Sequence, residues 1–259
     1  MKTTKEVYAG YAVTAAGKTR MKPFQMVVSG IFAGAFIALG GLGSQIASSA
    51  VSGFGGKVLG ACVFPIGLFL VVTIGVELFT GNCLLAIPVF DRGLQPKVKL
   101  SEVLVNWLLV YIGNFIGSLL VALAVFYGGT GKLFEGKLSE TAMAAANAKL
   151  SLPFDQALIR GIMCNILVCL AVWVAMEAKS VPGKAIAVFG PVMLFVAAGF
   201  EHSVANMYFI PLGMLYDNTI GIGTFLLHNL LPVTLGNIVG GAIVVGGGLT
   251  ILNKAKDNK

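Results

Sequence analysis

GFEHSVANMYFIP, residues 199–211, interrupts a long apolar run that extends over about residues 185–215. The stretch places four polar side chains close together: Glu201, His202, Ser203 and Asn206. In a bilayer core an ionisable side chain costs about 2.5–3.5 kcal/mol, so it is retained where it faces protein or a water-filled path. The stretch therefore predicts a functional site inside a membrane-spanning segment.

A second stretch, GVELFTGNCLLAIP at residues 75–88, repeats this pattern in the first half of the chain. Glu77 and Asn82 correspond to Glu201 and Asn206 at a constant offset of 124 residues. Interrupted hydrophobic helices at matching positions of two halves indicate a transport site near the bilayer midplane.

The duplication continues outside these two stretches. NWLLVYIGNFIG at 106–117 matches NLLPVTLGNIVG at 229–240 at an offset of 123, and KPF at 22–24 is echoed by LPF at 152–154. Each half contains three apolar spans, and an odd number of spans makes two repeats inverted in the membrane. The sequence thus predicts an all-α polytopic membrane protein with six transmembrane helices in two inverted three-helix repeats, of which the second and fifth helices are broken.

Composition agrees with a membrane protein. Only 11% of the 259 residues are charged and 57% are hydrophobic, with a mean hydropathy of +0.89, whereas soluble domains are about 25% charged. We expect one transmembrane domain with these parts: an interfacial helix at 1–22 (alternatively a disordered tail), a first repeat at 23–127, an outer connection at 128–155, a second repeat at 156–252 and a basic tail at 253–259.

The net charge of +7 has a topological explanation. If the N-terminus is cytoplasmic, 13 Lys and Arg residues lie on the cytoplasmic side and 5 on the outer side. The positive-inside rule therefore predicts two cytoplasmic termini in a multi-pass protein of a prokaryotic inner (plasma) membrane.

The polar residues of the two breaks are expected to divide structural and functional roles. Neighbouring helix residues point about 100° apart, so we expect Glu201 to face the protein and His202 to face the path. Glu77 and Glu201, with Asn82 and Asn206, are interpreted as structural residues, the carboxylates accepting hydrogen bonds from backbone N–H groups that the breaks free. His202 offers one donor and one acceptor when neutral, and two donors and a charge when protonated.

Further candidates have ordinary alternatives. The Thr80 hydroxyl could donate to an anion or to His202, or bond its own backbone. Lys149 could concentrate anions at an outer mouth, or be a solvated loop lysine. Four apolar residues at helical spacing could form narrow constrictions or ordinary packing: Leu68, Phe64, Phe195 and Val168.

Five motifs carry a resemblance to a known family: GVELFTGN (75–82), GIMCNILVCLA (161–171), GFEHSVANM (199–207), IPLGML (210–215) and NLLPVTLGNIVGG (229–241). They resemble the formate/nitrite transporter family over essentially the whole chain, and the chain looks most like its hydrosulfide-channel branch. The resemblance implies an aquaporin-like six-helix protomer, assembled as a homopentamer in the lipid bilayer. Each protomer would conduct small monovalent anions, hydrosulfide first, with formate and nitrite also permeant.

The same resemblance implies roles for individual residues. His202 would be the central pore histidine, with Thr80 and Asn165 beside it. Lys149 would be the vestibule lysine. Two apolar slits would be formed by Leu68, Phe64, Phe195 and Val168.

Other functions predict different features. A proton-coupled formate or nitrite transporter would use the same residues, whereas a neutral-solute channel of the aquaporin kind would carry paired Asn-Pro-Ala motifs, which are missing. A membrane enzyme using Glu201, His202 and Cys164 would need a metal-ligand cluster or a nucleophile–base spacing, and the sequence contains neither. We expect no enzyme activity, no cofactor, no metal and no nucleic-acid partner.

Overall fold

A computed structural model describes residues 4–51 and 53–257, which form an all-helical protein. Five helices in this part of the chain are long and apolar enough to cross a membrane: Pro23–Ala50, Gly53–Ile74, Leu100–Tyr127, Phe154–Glu177 and Ile222–Lys254. Two apolar helices are shorter: Phe79–Phe90 and Val181–Ala197.

The first half contains seven α-helical segments: α1 (Thr4–Thr19), α2 (Pro23–Ala50), α3 (Gly53–Val63), α4 (Ile66–Ile74), α5 (Phe79–Asn82), α6 (Ile87–Phe90) and α7 (Leu100–Tyr127). Pro65 lies at the junction of α3 and α4, where its missing N–H group interrupts the helical hydrogen bonds. A 3-10 turn, Cys83–Ala86, joins α5 to α6, so these segments form one short helix after the break.

The second half contains the other seven: α8 (Lys137–Leu150), α9 (Phe154–Glu177), α10 (Val181–Ala197), α11 (Ser203–Tyr216), α12 (Ile222–Thr224), α13 (Leu231–Ile238) and α14 (Gly248–Asp257). Two π-helical segments, Phe225–Leu230 and Val239–Gly247, link α12, α13 and α14 into one continuous helix. The predicted tail at 253–259 is therefore helical as far as Asp257, and residues 258–259 lie outside the described part.

The connection predicted at 128–155 contains helix α8. The polar composition of this segment did not indicate a helix. Ala142 and Ala146 form a buried stripe on α8, because they lie one helical turn apart. A Cβ added to Gly213 of α11 would overlap Ala146. The close approach of α8 to α11 thus depends on small side chains, and it brings the end of α8 to the second break.

The long helices cross through glycines at equivalent positions of the two halves. A Cβ on Gly117 of α7 would overlap the carbonyl group of Ile31 on α2. A Cβ on Gly240 would overlap the carbonyl group of Ile162 on α9 in the same way. Backbone-to-backbone packing of this kind is how membrane helices associate without a hydrophobic driving force.

Both predicted helix breaks lie where the polar stretches occur. Residues 75–78 separate α4 from α5, and residues 198–202 separate α10 from α11. Each upstream helix ends on a glycine in the left-handed region, Gly75 at φ +81° and Gly199 at φ +67°. Glycine adopts this conformation without a Cβ penalty, so it ends each half-helix sharply.

The chain ends meet on one side of the helices. Asp91, after α6, accepts a hydrogen bond from the Tyr8 hydroxyl of α1 at 2.9 Å and forms an ion pair with Lys254 of α14 at 3.4 Å. We call this the terminal side and the opposite one the far side. The predicted helix at 1–22 is present as α1, and it packs on the protein through a buried face: Val7, Tyr8, Tyr11, Ala12, Ala15 and Ala16. Residues 1–3 lie outside the described part.

Candidate functional site

The first break is held by a closed set of side-chain hydrogen bonds. Glu77 accepts from Lys18 Nζ at Oε1 (2.7 Å) and from Asn82 Nδ2 at Oε2 (2.7 Å). Asn82 Nδ2 also donates to Asn106 Oδ1 at 2.9 Å, and Asn106 Nδ2 returns a bond to the Lys18 carbonyl at 3.2 Å. The break is thereby tied to α1 on one side and to α7 on the other.

The second break repeats this arrangement. Glu201 accepts from Lys149 Nζ at 3.0 Å and from Asn206 Nδ2 at 2.6 Å. Asn206 Nδ2 donates to Asn229 Oδ1 at 2.7 Å, and Asn229 Nδ2 donates to the Lys149 carbonyl at 3.0 Å. Lys149 is thus paired with a carboxylate, and its ammonium group also lies 5.4 Å from the centre of the Phe209 ring.

Two further asparagines bond the backbone of the breaks. Asn114 Oδ1 accepts from the Phe79 N–H group at 2.9 Å, while Asn114 Nδ2 donates to the Glu77 carbonyl at 3.0 Å. Asn237 bonds the Ser203 N–H group and the carbonyl of the second glutamate at 2.9 and 3.0 Å. Each amide therefore satisfies one freed donor and one freed acceptor.

The predicted partners of the two glutamates are therefore wrong. The Glu77 and Glu201 carboxylates bond lysine and asparagine side chains, and the N–H groups of Phe79 and Ser203 go to Asn114 and Asn237. The reason is electrostatic: a buried carboxylate is costly unless a cation and further donors compensate it. A neutral amide carries both a donor and an acceptor, so it suits a broken backbone better.

The centre of the molecule is a contact between the two breaks. His202 is the N-cap of α11, and its Nδ1 accepts a hydrogen bond from the Ala205 N–H group at 3.1 Å. A nitrogen that accepts this bond carries no hydrogen, so the ring holds its proton at Nε2. Nε2 lies 3.0 Å from Thr80 Oγ1 in α5 and therefore donates to it.

The backbone of Thr80 is held by two hydrogen-bond donors on α9. Its carbonyl accepts from Asn165 Nδ2 at 3.1 Å and from Cys169 Sγ at 3.4 Å, and both donors are on α9. Asn165 Nδ2 also donates to the Asn237 carbonyl at 2.6 Å. Asn165 thus bonds the backbone that carries the threonine, and its buried Oδ1 makes no hydrogen bond in the described residues.

The four apolar candidates are all buried, and two of them meet. The Phe64 and Phe195 rings pack edge to face with centroids 5.7 Å apart, and Phe195 stacks on the His202 ring at 5.9 Å. Leu68 and Val168 are 2% and 1% exposed, so they lie in the protein interior rather than on a lipid-facing surface.

Two cavities approach the Thr80–His202 contact from opposite sides. The far-side cavity, about 210 Å³, is lined among others by Lys149, Asn206, His202, Phe64, Phe195 and Phe209. The terminal-side cavity, about 360 Å³, is lined among others by Lys18, Glu77, Asn82, Val71, Leu78 and Gly81. His202 belongs to one wall and Gly81 to the other, so Thr80 lies at the barrier between them.

Sequence reasoning missed the terminal-side counterpart of Lys149. Lys18 precedes Pro23 by five residues and Lys149 precedes Pro153 by four, so the repeat contains the signal. Sequence reasoning also gave no role to four repeated asparagines: Asn106, Asn114, Asn229 and Asn237. The repeat further aligns Leu78 with His202 at an offset of 124, and the two N-caps of the half-helices therefore differ in chemistry.

Comparisons with known proteins agree over nearly the whole chain. Residues 5–251 match a family model described as formate/nitrite transporter. The chain is 37% identical over 254 residues to the formate channel FocA of Haemophilus influenzae, covering 90% of this chain and 88% of that one. It is 41% identical over 226 residues to the uncharacterized transporter YrhG of Bacillus subtilis, covering 85% and 82%.

Two solved structures have the same fold. A pentameric formate channel with formate bound superimposes with a TM-score of 0.80 at 33% identity, covering 89% of this chain and 97% of that chain. An FNT family ion channel superimposes with a TM-score of 0.85 at 29% identity, covering 93% and 96%.

Proposed function

The chain belongs to the formate/nitrite transporter family, and from that membership we propose that it conducts small monovalent anions across a cell membrane. The family's named members among its relatives are channels and transporters, which are not enzymes. One observation carries the proposal for this chain. Two cavities lead from opposite sides to a single polar contact, Thr80 with His202, at the junction of two half-helices.

The junction favours negative charge. Helices α5 and α11 both begin there, and a helix N-terminus carries about +0.5 elementary charge. Anions bind at such termini without a dedicated cation. An anion crossing the barrier would therefore be stabilised at the point where it is furthest from water.

The barrier offers a hydrogen bond rather than a proton. Thr80 Oγ1 accepts from His202 Nε2–H and makes no second hydrogen bond in the described residues, so its own hydroxyl hydrogen can donate to the solute. Giving up the Nε2 proton would leave a buried imidazolate, and protonating Nδ1 would break the bond from Ala205. We propose that the pair binds the anion while the apolar Phe64 and Phe195 rings exclude its hydration shell.

The architecture is part of the proposal. Two inverted three-helix repeats at 23–127 and 156–252, in an aquaporin-like arrangement of six helices, account for the matching networks at the two breaks. A homopentamer is supported by the pentameric formate channel of similar fold. The basic residues favour the terminal side as the cytoplasmic one, with the far-side cavity opening outward.

Three anions are candidates for the conducted solute. Formate is supported by the names of the relatives, and hydrosulfide, the anion suggested by the sequence likeness, suits a pathway that binds one small, weakly hydrated charge. Nitrite is the third candidate. A passive channel is proposed first, because His202, the titratable group at the barrier in the described part of the chain, holds its proton in the bond to Thr80. Proton-coupled formate or nitrite transport is the alternative.

Liposomes that contain the purified protein should take up all three anions faster than empty liposomes, while their water and glycerol permeability should stay at the level of the lipid alone.

The variant that tests the pathway is Thr80→Val, which keeps the side-chain shape and removes the hydroxyl. We expect it to lower anion flux by about tenfold, since an unmade buried hydrogen bond costs about 1–3 kcal/mol. Accelerated water flux without anion flux would contradict the proposal, and the order of the three anion rates identifies the preferred one.

Replacing His202 with Asn should lower formate flux by only about threefold, the cost of one hydrogen bond to Thr80. Asn is a favourable N-cap, so it can still accept from the Ala205 N–H group and α11 should remain intact. Because the imidazole does not supply the proton, the ratio of variant to wild-type flux should stay constant from about pH 5 to pH 8. A ratio that changes steeply across this range would show that His202 titrates during transport.

A further inference from the structure

Each broken helix presents a carbonyl end to a cavity. Val72 and Gly75, at the end of α4, line the terminal-side cavity, while Val196 and Gly199, at the end of α10, line the far-side cavity. A helix C-terminus carries about −0.5 elementary charge. Both entrances therefore contain a negative partial charge that would repel the anion before it reaches the central junction.

The lysines in the cavity walls do not offset this repulsion. Lys18 lies 2.7 Å from the Glu77 carboxylate, and Lys149 lies 3.0 Å from the Glu201 carboxylate. Each pair is neutral as a unit. The attraction of an anion to either entrance must therefore come from other groups.

A second basic side chain reaches each carbonyl end. Lys184, in the first turn of α10, is half-buried, and its Nζ donates to the Val72 carbonyl at 3.1 Å. Arg160 on α9 points Nη1 at the Gly199 carbonyl at 3.5 Å. Neither Lys184 nor Arg160 forms an ion pair with a carboxylate in the described residues, so each leaves a net positive charge beside an entrance.

We propose that Lys184 is a specificity-determining residue, whose charge makes the terminal-side entrance attractive to anions, and that Arg160 has the equivalent role on the far side. The inference rests on the proposed function, since it concerns how the conducted anion enters. Lys184 is the stronger case because its hydrogen bond is shorter and its ammonium group is partly shielded from water. The lysine–glutamate pairs then hold the breaks, and the unpaired cations select the charge of the solute.

The test replaces Lys184 with Cys and measures formate flux in proteoliposomes. We expect flux to fall by about threefold to tenfold at low ionic strength, because a charge at an entrance changes the local anion concentration by about that factor or more. A cationic methanethiosulfonate should restore most of the flux, and an anionic reagent of similar size should lower it further. At about 1 M salt, where the Debye length is about 3 Å, the variant and wild type should converge.

Three controls separate charge from structure. Lys184→Arg should conduct like wild type, whereas Lys184→Gln, which keeps a donor for the Val72 carbonyl, should behave like Lys184→Cys. Lys179→Cys, at an exposed position just before α10, should conduct like wild type before and after either reagent. Wild type must be treated with both reagents as well, because Cys62 is half-buried.

Equal effects of the cationic and anionic reagents, or wild-type flux in Lys184→Gln, would overturn the inference and leave Lys184 as a helix cap. A loss of flux that persists at high salt would also overturn it. The proposed function fails separately, through the absence of formate, nitrite and hydrosulfide flux in the wild-type protein. Arg160→Cys, with exposed Lys57→Cys as its control, repeats the measurement for the far side.

Discussion

Asn237→Leu is expected to destabilise the protein by roughly 2–6 kcal/mol and to prevent its assembly. Leu is similar in size, so packing changes little, but three buried groups lose a hydrogen bond, of which only the Gly161 carbonyl, inside α9, keeps a helical one. These are the Ser203 N–H group and the carbonyl groups of Gly161 and Glu201, bonded at 2.9, 2.8 and 3.0 Å. An orphaned buried group costs about 1–3 kcal/mol, and lipid offers no replacement.

The measurement is the thermal midpoint and the elution volume of the detergent-purified protein. Asn253→Leu is the matched control, since Asn253 is also buried but, within the described residues, makes one side-chain hydrogen bond, to the Leu249 carbonyl at 2.8 Å. Asn114→Leu, the equivalent change at the first break, should match Asn237→Leu. If Asn237→Leu and Asn253→Leu lower the thermal midpoint of the protein equally, then Asn237 does not hold the second break.

The two breaks could be predicted from sequence because their signal is local and occurs twice. A polar group inside an apolar run is unusual, and the same group at a constant offset is unlikely to arise twice by chance. The glycines that end α4 and α10 lie within the same two stretches, at Gly75 and Gly199. Length, hydropathy and repeat spacing were enough to locate the long helices, because each of these properties is carried by consecutive residues.

The partners of the break residues could not be predicted, because they come from distant parts of the chain. Lys18 lies 59 residues from Glu77, and Lys149 lies 52 residues from Glu201. Pairing a carboxylate with one of 18 basic residues requires knowing which helix ends approach each other. The repeat would have narrowed the choice, since both lysines precede the proline that starts the first span of their half.

Helix α8 and the π-helical segments were missed for other physical reasons. The sequence of α8 is polar, and polarity was interpreted as a connection, although a helix needs only one small buried stripe to pack. A π-helical segment is a local widening inside an α-helix, so the length and hydropathy of the span do not reveal it. The structure shows that Val239–Gly247 adopts it, with Gly241 packed against Asn165 and Cys169.

Gly241→Ala is expected to lower anion flux by at least about tenfold, equivalent to about 1.4 kcal/mol in the barrier to permeation. Gly241 lies in this π-helical segment, where a Cβ would overlap Asn165 Nδ2 and lie 2.7 Å from Cys83 Cβ and 2.8 Å from Cys169 Sγ. Asn165 Nδ2 and Cys169 Sγ are the donors that fix the Thr80 carbonyl. Shifting them moves the threonine hydroxyl away from the junction, so the solute loses its hydrogen bond while the helices remain packed.

Gly247→Ala is the matched control, because it lies in the same π-helical segment and a Cβ there would meet nothing within 4 Å. It should conduct like wild type. Overpacking at Gly241 costs about 1–3 kcal/mol of stability, so assembly should survive and must be checked by elution volume. The mechanism also predicts that Gly241→Ala combined with Thr80→Val conducts no worse than Thr80→Val alone, since both act through one hydroxyl. Additive losses would mean that Gly241 supports the pathway through contacts other than Thr80.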